Sequence, residues 1–171
     1  MEAIDNFAHR RSIRKYKPRQ IADTELQAVL KAGTFAPSGR NLQSSIIVAV
    51  QNPQDIALMS RLNAQIMGTD SDPFYGAPTV LVVLSRRDGR FPVEDGSLVM
   101  GNLLNAACAV GLGSCWVNRA RELFDMPEGK ALLQKWGIEG EYIGIGNCIL
   151  GYPDEAPAAK PRKDDYVYII K

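Results

Sequence analysis

Residues 97–117, SLVMGNLLNAACAVGLGSCWV, run for 21 positions without a formal charge. A run of this length is long enough to span a bilayer as a helix. Asn102 and Asn105 lower its hydropathy, and Gly111 and Gly113 indicate that a helix ends inside it. We therefore predict a buried helix near 94–110 followed by a strand, with a bilayer span as the alternative.

A helix that is apolar on nearly every face has to be covered on nearly every face. The chain has 171 residues, of which 46% are hydrophobic, and this is the size and composition of one globular domain. In a domain this small, such cover often comes from a second subunit. We predict one domain over residues 1–171, with 152–171 as a C-terminal extension.

The remaining apolar runs alternate between strand and helix patterns. Asp23 is the predicted cap of a helix whose inner face carries Leu26, Val29 and Leu30, and Asn52-Pro53 is predicted to begin another helix. The predicted helices are 2–8, one beginning at Asp23, 53–67, 94–110 and 127–136. The predicted strands are 45–50, 78–84, 114–118, 142–150 and the strand-like 166–170.

Charge and cysteine usage narrow the class of protein. Twenty basic and nineteen acidic residues give a net charge of +1, which provides no general field for nucleic acid or membrane surfaces. The N-terminus lacks the basic leader and apolar core of a signal peptide. Cys108, Cys115 and Cys148 form no C-x-x-C pair, so reduced thiols in a cytoplasmic protein are expected and no metal site is predicted.

The basic stretch HRRSIRKYKP at residues 9–18 is the first candidate site. Guanidinium groups bind phosphate oxygens in pairs, and a serine hydroxyl adds a further donor. If the segment is extended, Arg10, Ser12 and Arg14 share one side, with Arg11 adjacent. This pattern indicates a phosphate site, and a solvated basic segment is the alternative.

A second basic cluster lies near the other end of the chain. Pro157 and Pro161 favour an extended backbone around Lys160 and Arg162. Two basic clusters about 150 residues apart are able to converge on one dianion, each charge-assisted bond contributing about 1.5–3 kcal/mol. A charged tail in water is the alternative.

Two further segments carry candidate ligand contacts. The loop APSGRNLQ, 36–43, offers Ser38, Asn41 and Gln43 as neutral donors and acceptors for a planar ring with carbonyl and imide groups, or is only a polar loop. In GLGSCWVN, 111–118, backbone N–H groups at a strand end are placed to meet a ligand edge beside Trp116. Core packing of Trp116 is the alternative there.

These segments together resemble the nitroreductase family of flavin mononucleotide (FMN) enzymes, in motif and in order along the chain. The resemblance covers essentially the whole sequence. The matching segments are RRSIRKY (10–16), APSGRNLQ (36–43), FYGAPTVLVV (74–83), EDGSLVMGNLLNAACAVGLGSCW (94–116) and LGYPDEAPAAKPRK (150–163).

The resemblance implies an α+β fold of three layers, with a mixed, mainly antiparallel sheet flanked by helices and a C-terminal strand exchanged in a homodimer. It implies that the FMN phosphate is held by one set of residues: Arg10, Ser12 and Arg14 with Arg11 adjacent, and Lys160 and Arg162. It implies that the loop residues Pro37, Ser38, Gly39 and Asn41 come from the other subunit to line the flavin. Trp116, Val117 and Asn118 match the segment at the reactive N5 edge, and Asn63 matches an asparagine near the pyrimidine ring.

The chemistry implied by the resemblance takes place on the cofactor, so no catalytic side chain is predicted. A hydride passes from NADH or NADPH to flavin N5 and then to a nitroaromatic, quinone or related acceptor, in ping-pong order. A specialised enzyme of the same fold, for flavin fragmentation, dehalogenation or conjugated-bond reduction, is a second hypothesis. A non-enzymatic module that binds phosphate or nucleic acid through the basic stretch is the third.

Overall fold

Strand β2 (Thr79–Arg86) lies inside a four-stranded sheet, with β1 (Ser45–Val50) on one side and β4 (Tyr142–Gly151) on the other. Strand β3 (Gly113–Val117) pairs with the far side of β4, which gives the order β1-β2-β4-β3. The structure is a computed structural model that describes residues 2–171. The helices are α1 (Ala3–His9), α2 (Asp23–Thr34), α3 (Pro53–Met67), α4 (Pro92–Ala109), α5 (Ala120–Asp125) and α6 (Pro127–Lys135).

All three strand pairs of the sheet are antiparallel. Val82 lies opposite Val48 on one side and Asn147 on the other, so the two inner strands are paired along both edges. The parallel component is a single bridge between Ser12 and Ser114, outside β3's pairing with β4. The prediction of a mainly antiparallel sheet flanked by helices is therefore confirmed, while the four strands themselves are not mixed.

The side chains of β2 alternate between two separate cores. Val80, Val82 and Leu84 pack in the core that includes residues of α3, α5 and α6. Leu81 and Val83 pack in the core that includes residues of α2 and α4. Helices therefore cover both faces of the sheet, and the predicted three-layer α+β architecture is confirmed.

Helix α3 and strand β1 have the predicted bounds, because their end signals are strong. The Asn52 side chain accepts hydrogen bonds from the backbone N–H groups of Gln54 (2.9 Å) and Asp55 (3.1 Å), and Pro53 occupies the first turn. The other predicted helices and the internal strands agree with the structure to within a few residues.

Two features of the helices differ from the predictions. Asp23 does not cap α2: it is the first helical residue, and the N-cap is Ala22, whose N–H donates to the Glu25 carboxylate (3.1 Å). The side chain at the third helical position thus replaces the expected cap. Helix α5 was not predicted, because it is only six residues long. It begins after Arg119, and no pattern in the sequence indicates the φ of 73° at that residue.

The uncharged run forms most of α4 and all of β3, as predicted, and Gly111 with φ of 81° follows the helix end. Of the described residues, no helix is both long and apolar enough to cross a bilayer. One face of α4 is buried, while Val93 and Leu98, which lie elsewhere on the same helix, are about half exposed. Within one chain the cover of α4 is incomplete, and cover by a second subunit remains a prediction.

Residues 154–171 are exposed throughout. Asp164–Tyr166 form a 3₁₀ turn, and the predicted strand at 166–170 makes no ladder within residues 2–171. Tyr166, Val167, Tyr168, Ile169 and Ile170 are each 70–93% exposed. Pairing of this apolar segment with a second subunit stays a prediction.

Asp55 joins α3 to α6 and gives the fold a pH-dependent contact. Its buried carboxylate accepts hydrogen bonds from Lys135 Nζ (2.5 Å) and Trp136 Nε1 (2.9 Å), which lower the pKa of Asp55 below its ordinary value. A carboxyl whose pKa is lower in the folded state contributes stability above its unfolded pKa, and this contribution disappears as the pH falls through the folded pKa.

We expect Asp55→Asn to lower the free energy of unfolding by about 2 kcal/mol at pH 7, because it removes the charge that strengthens the bonds from Lys135 and Trp136. The half-exposed side chain of Lys135 limits the size of this loss, since water screens the ion pair. The loss should shrink below about pH 4. Urea unfolding at both pH values measures it. Asp88→Asn, which breaks the exposed pair with Arg86, is the control and should change little. An equal loss for Asp55→Asn at pH 3 and pH 7 would contradict the assignment.

Candidate functional site

The basic segment near the N-terminus is held between two parts of the chain. Along one edge, the N–H of Ile13 donates to the carbonyl of Ser114 on β3 (3.0 Å). Along the other, the N–H of Lys17 donates to Tyr152 O and the N–H of Asp154 donates to Lys15 O, both at 2.9 Å. The segment is therefore a fixed, extended element and not a solvated arm.

Alternation along this segment separates its polar side chains from the core. Ile13 is buried, and a Cβ placed on Gly113 would lie 2.9 Å from its Cγ2. Neighbouring side chains of an extended segment point to opposite faces, so Ser12 and Arg14 face away from Ile13. Arg10, at the end of α1, is half-buried and Arg14 is exposed.

The arginines of this segment keep their charge uncompensated. Within residues 2–171, Arg10, Arg11 and Arg14 form no ion pair. Arg11 donates only to carbonyl oxygens, those of Ala8 and Arg10 (2.7 Å each). The Glu155 carboxylate accepts from the backbone N–H of Arg14 and leaves its guanidinium free for another anion.

Cys108 lines the same cavity as Arg11. Burial raises the pKa of Cys108, and the positive charges of Arg10 and Arg11 partly oppose that rise. Burial raises the pKa of Cys148 to about 12. All three cysteines are free, and these two thiols are therefore neutral near pH 7.

Lys160 and Arg162 do not meet the first basic cluster within this chain. They line a surface recess of about 540 Å³ with Asp165 and Tyr166. The cavity beside Arg11, about 500 Å³, reaches the C-terminal extension only as far as Pro157. No hydrogen bond or ion pair of the described residues joins the two clusters.

The loop at 36–43 is braced by its own polar groups. Gln43 N–H donates to Ser38 Oγ (3.0 Å), and Gln43 Nε2 donates to Asn41 Oδ1 (3.0 Å). Gly39 N–H donates to the buried carboxylate of Asp95 in the first turn of α4 (2.8 Å). Pro37, Asn41 and Gln43 are exposed, so the loop presents a fixed polar surface outward.

Trp116, Val117 and Asn118, at the end of β3, differ in their burial and in the core against which they pack. Trp116 packs in the α2–α4 core, with its indole nitrogen buried against Gly146 and bonded to no acceptor of the described chain. Val117 is buried in the opposite core, and Asn118 is exposed. Trp116 and Asn118 nevertheless line one recess of about 360 Å³, together with Arg119. Most of the indole ring of Trp116 therefore packs in the core, which is the alternative interpretation of this residue.

Asn63 is fully buried in α3, and both polar ends of its amide are used by the chain. Its Nδ2 donates to the carbonyl of Asn118 (2.8 Å), and its Oδ1 accepts from Nε of Arg119 (3.0 Å). The predicted contact of Asn63 with a pyrimidine ring stays a prediction. The two bonds of the Asn63 amide anchor the turn that follows β3.

The loop and the turn lie on opposite sides of α4. The recess at Pro37 and Ser38 includes Asp95 and Val99, and the recess at Trp116 includes Val93 and Ser97. At 100° per residue, these two pairs of helix positions lie about half a turn apart. One small planar ligand is therefore unable to touch both sets within a single chain.

Sequence reasoning missed Asp95 and Arg119 as parts of the site. Asp95 is a buried acid in the first turn of a helix, and this position by itself suggests only a favourable helix dipole. Arg119 looks like an ordinary surface residue, because neither its left-handed backbone nor its bond to Asn63 leaves a local pattern.

Comparisons with known proteins agree with this architecture. A relative from Archaeoglobus fulgidus, named provisionally as an NADH dehydrogenase or NAD(P)H nitroreductase, is 31% identical over 96% of this chain and 90% of its own length. The NADPH-flavin oxidoreductase of Vibrio harveyi is 26% identical over 97% of this chain and 72% of its own length.

A crystal structure of a Bacteroides fragilis nitroreductase with bound FMN is similar over the full length of both chains, with a TM-score of 0.91 and 26% identity. The model of the nitroreductase family matches residues 7–152, a range that includes every candidate residue except Lys160 and Arg162. A match over this much of the sequence shows that the chain shares the fold and the evolutionary origin of that family. The chain belongs to the nitroreductase family.

Proposed function

We propose that this protein is an FMN-dependent oxidoreductase that takes electrons from NADH or NADPH and passes them to nitroaromatic, quinone or related conjugated acceptors. One observation carries the proposal: the cationic segment, whose arginines form no ion pair in the described residues, is hydrogen-bonded to the strand that ends in the turn at Asn118. Ser114, beside Ser12, and Asn118 are four residues apart, or about 13 Å at the rise of a strand. Donors for a phosphate and for a ring therefore lie at two ends of one strand.

The donor chemistry fits FMN. Guanidinium groups hold a phosphate dianion in pairs and keep their charge at any pH of interest. Within residues 2–171, those of Arg10, Arg11 and Arg14 form no ion pair with a carboxylate. The neutral amides and hydroxyl of the loop suit a ring with carbonyl and imide groups. No buried carboxylate of the described chain lines the recess at the turn.

Each residue of the proposed site binds or orients. Arg10, Ser12 and Arg14, with Arg11 adjacent, would hold the phosphate, and Lys160 and Arg162 would join them. Backbone groups from Trp116 to Asn118 would meet the ring edge, where N–H donors stabilise negative charge. FMN, when bound, supplies the redox chemistry by alternately accepting hydride from the nicotinamide and reducing the acceptor.

The position of the loop supports the proposal of a homodimer. Because Pro37 and Ser38 lie across α4 from Trp116, we propose that Pro37, Ser38, Gly39, Asn41 and Gln43 line the flavin of a second subunit. The exposed apolar side chains of Ile4, Phe7 and Leu98 also support a contact with a second subunit.

The C-terminal extension supplies a second argument for the dimer. Strand β1 is paired only with β2, so its outer edge is free within the described chain. The exposed apolar segment 166–170 has the residues of a strand and no ladder of its own. We propose that it adds to a second subunit, as an extended peptide adds to a sheet edge.

The visible spectrum of the purified protein tests the proposal. We expect flavin absorbance, or its appearance when FMN is added, and bleaching by NADH or NADPH under nitrogen followed by recovery with an acceptor. Product analysis with several acceptors, under air and nitrogen, identifies the reaction and separates it from dehalogenation or flavin fragmentation. A protein that lacks flavin and does not take up FMN would overturn the proposal. Salt-sensitive binding to nucleic acid would then favour a phosphate-binding module.

A further inference from the structure

The turn that follows β3 has a strained backbone. Arg119 has φ of 73°, in the left-handed region that disfavours residues with a Cβ, and it is the N-cap of α5. Strained residues of this kind persist when their surroundings hold them, and they often occur at ligand-binding sites. Arg119 and Asn118 line the recess beside Trp116, so the strain lies at the surface that the proposed flavin would contact.

The buried amide of Asn63 bonds to both residues of this turn. Its donor end bonds to the carbonyl of Asn118 at 2.8 Å, and its acceptor end bonds to Nε of Arg119 at 3.0 Å. Asn63 has no exposed surface, so its amide has no water to bond with in place of these two partners. A single side chain therefore fixes the carbonyl of one residue and the guanidinium of the next.

The turn is held from two other directions. Nη2 of Arg119 contacts Sδ of Met67 at 3.3 Å, one helical turn beyond Asn63, so the Arg119 side chain lies along α3. On the opposite side the backbone of Ala120 presses against Gly144 of β4, where a Cβ would collide with the Ala120 carbonyl. The peptide between Asn118 and Arg119 is thus held in one orientation.

We propose that Asn63 is a positioning residue for the flavin site: its bond to the Asn118 carbonyl orients the peptide between Asn118 and Arg119, two residues that line the recess, and does so without touching the ligand. This inference rests on the proposed function and assigns to Asn63 a role different from direct cofactor contact. The Arg119 guanidinium acts through the same contact, since its Nε completes the pair of bonds.

The test compares Asn63→Ala with Asn52→Ala in the FMN-loaded protein. Asn52→Ala removes the N-cap of α3 and so weakens that helix without touching the turn, whereas Asn63→Ala removes the two contacts to the turn. For Asn63→Ala we expect FMN to bind about tenfold more weakly, as loss of one to two net hydrogen bonds would give. We also expect a lower midpoint potential of bound FMN, because misaligned donors stabilise negative charge less well.

Hydrogen exchange at residues 118–120 reports the turn directly. We expect faster exchange there in Asn63→Ala and unchanged exchange in Asn52→Ala. Arg119→Gly, which adopts a positive φ without strain, should lose the Asn63 acceptor contact, and the effects of the two substitutions on FMN affinity should be non-additive.

The outcomes separate this inference from the proposed function. Faster exchange with unchanged affinity and potential would overturn the positioning role while leaving the proposed function intact. Identical behaviour of Asn63→Ala and Asn52→Ala would also overturn it, since general loss of stability would then explain every change. If the unmodified protein binds no FMN, both the proposed function and the inference are wrong.

Discussion

Replacing Arg10 and Arg14 together by alanine should release FMN from a protein that stays folded. Two charge-assisted hydrogen bonds of about 1.5–3 kcal/mol each correspond to a Kd roughly 10²–10⁴-fold higher. Neither side chain is fully buried, and neither forms an ion pair in the described chain, so their loss leaves the core intact. Titration followed by flavin fluorescence measures the affinity, and circular dichroism with thermal unfolding measures the fold.

The matched control changes the same charge beside the same segment. Lys15→Ala with Lys17→Ala also removes two positive charges, but both side chains are exposed and Lys15 pairs weakly with Asp154 at 3.5 Å. We expect this variant to keep its flavin and to lose only a small, salt-sensitive part of the affinity. If the arginine variant retains flavin, or the lysine variant loses as much, the phosphate assignment is wrong.

Deleting residues 160–171 should produce a folded protein that sediments as a smaller species and holds flavin poorly. The segment is exposed along its whole length, so its removal uncovers no part of this chain's own core. It carries both the second basic cluster and the apolar segment that we propose to add to a second subunit. Sedimentation velocity and the flavin content after gel filtration measure the two effects.

Two smaller changes assign these effects to separate parts of the extension. Lys160→Ala with Arg162→Ala should weaken FMN binding and leave the dimer intact. Deletion of 166–171 should weaken the dimer first and the flavin site through it. Unchanged sedimentation of the full deletion would rule out strand exchange, and unchanged affinity of the lysine–arginine variant would remove the second cluster from the phosphate site.

The elements that the sequence predicted well are those whose ends are marked locally. Asn52 and Pro53 define the start of α3 because cap and first-turn preferences act over three or four residues. The strand run at 78–84 was recognisable because both faces of β2 are buried and nearly every residue is apolar. The family resemblance added the layer order, which no local signal contains.

What the sequence did not reveal depends on contacts between distant residues. The bonds of Asn63 to the turn after β3 join positions 55 and 56 residues apart, and a single asparagine in a helix gives no sign of such a partner. The cap of α2 was assigned to the wrong residue because Asp23 is a common cap and Glu25 is a common third helical residue. Local preference allows a cap by Asp23 and a contact from Glu25 to the N-cap backbone, and the structure has the contact from Glu25.

The cationic segment also limits when the site is able to form during synthesis. Its two hydrogen-bonded edges come from Ser114 and from Tyr152–Asp154, which are translated about 100 and 140 residues after it. A ribosome-bound chain that ends before these residues has the arginines but nothing to hold them in register. Contacts of such long sequence separation form late in folding. We therefore expect the proposed phosphate site to form only after residues as far as Asp154 have been synthesised, so a shorter nascent chain should not bind FMN.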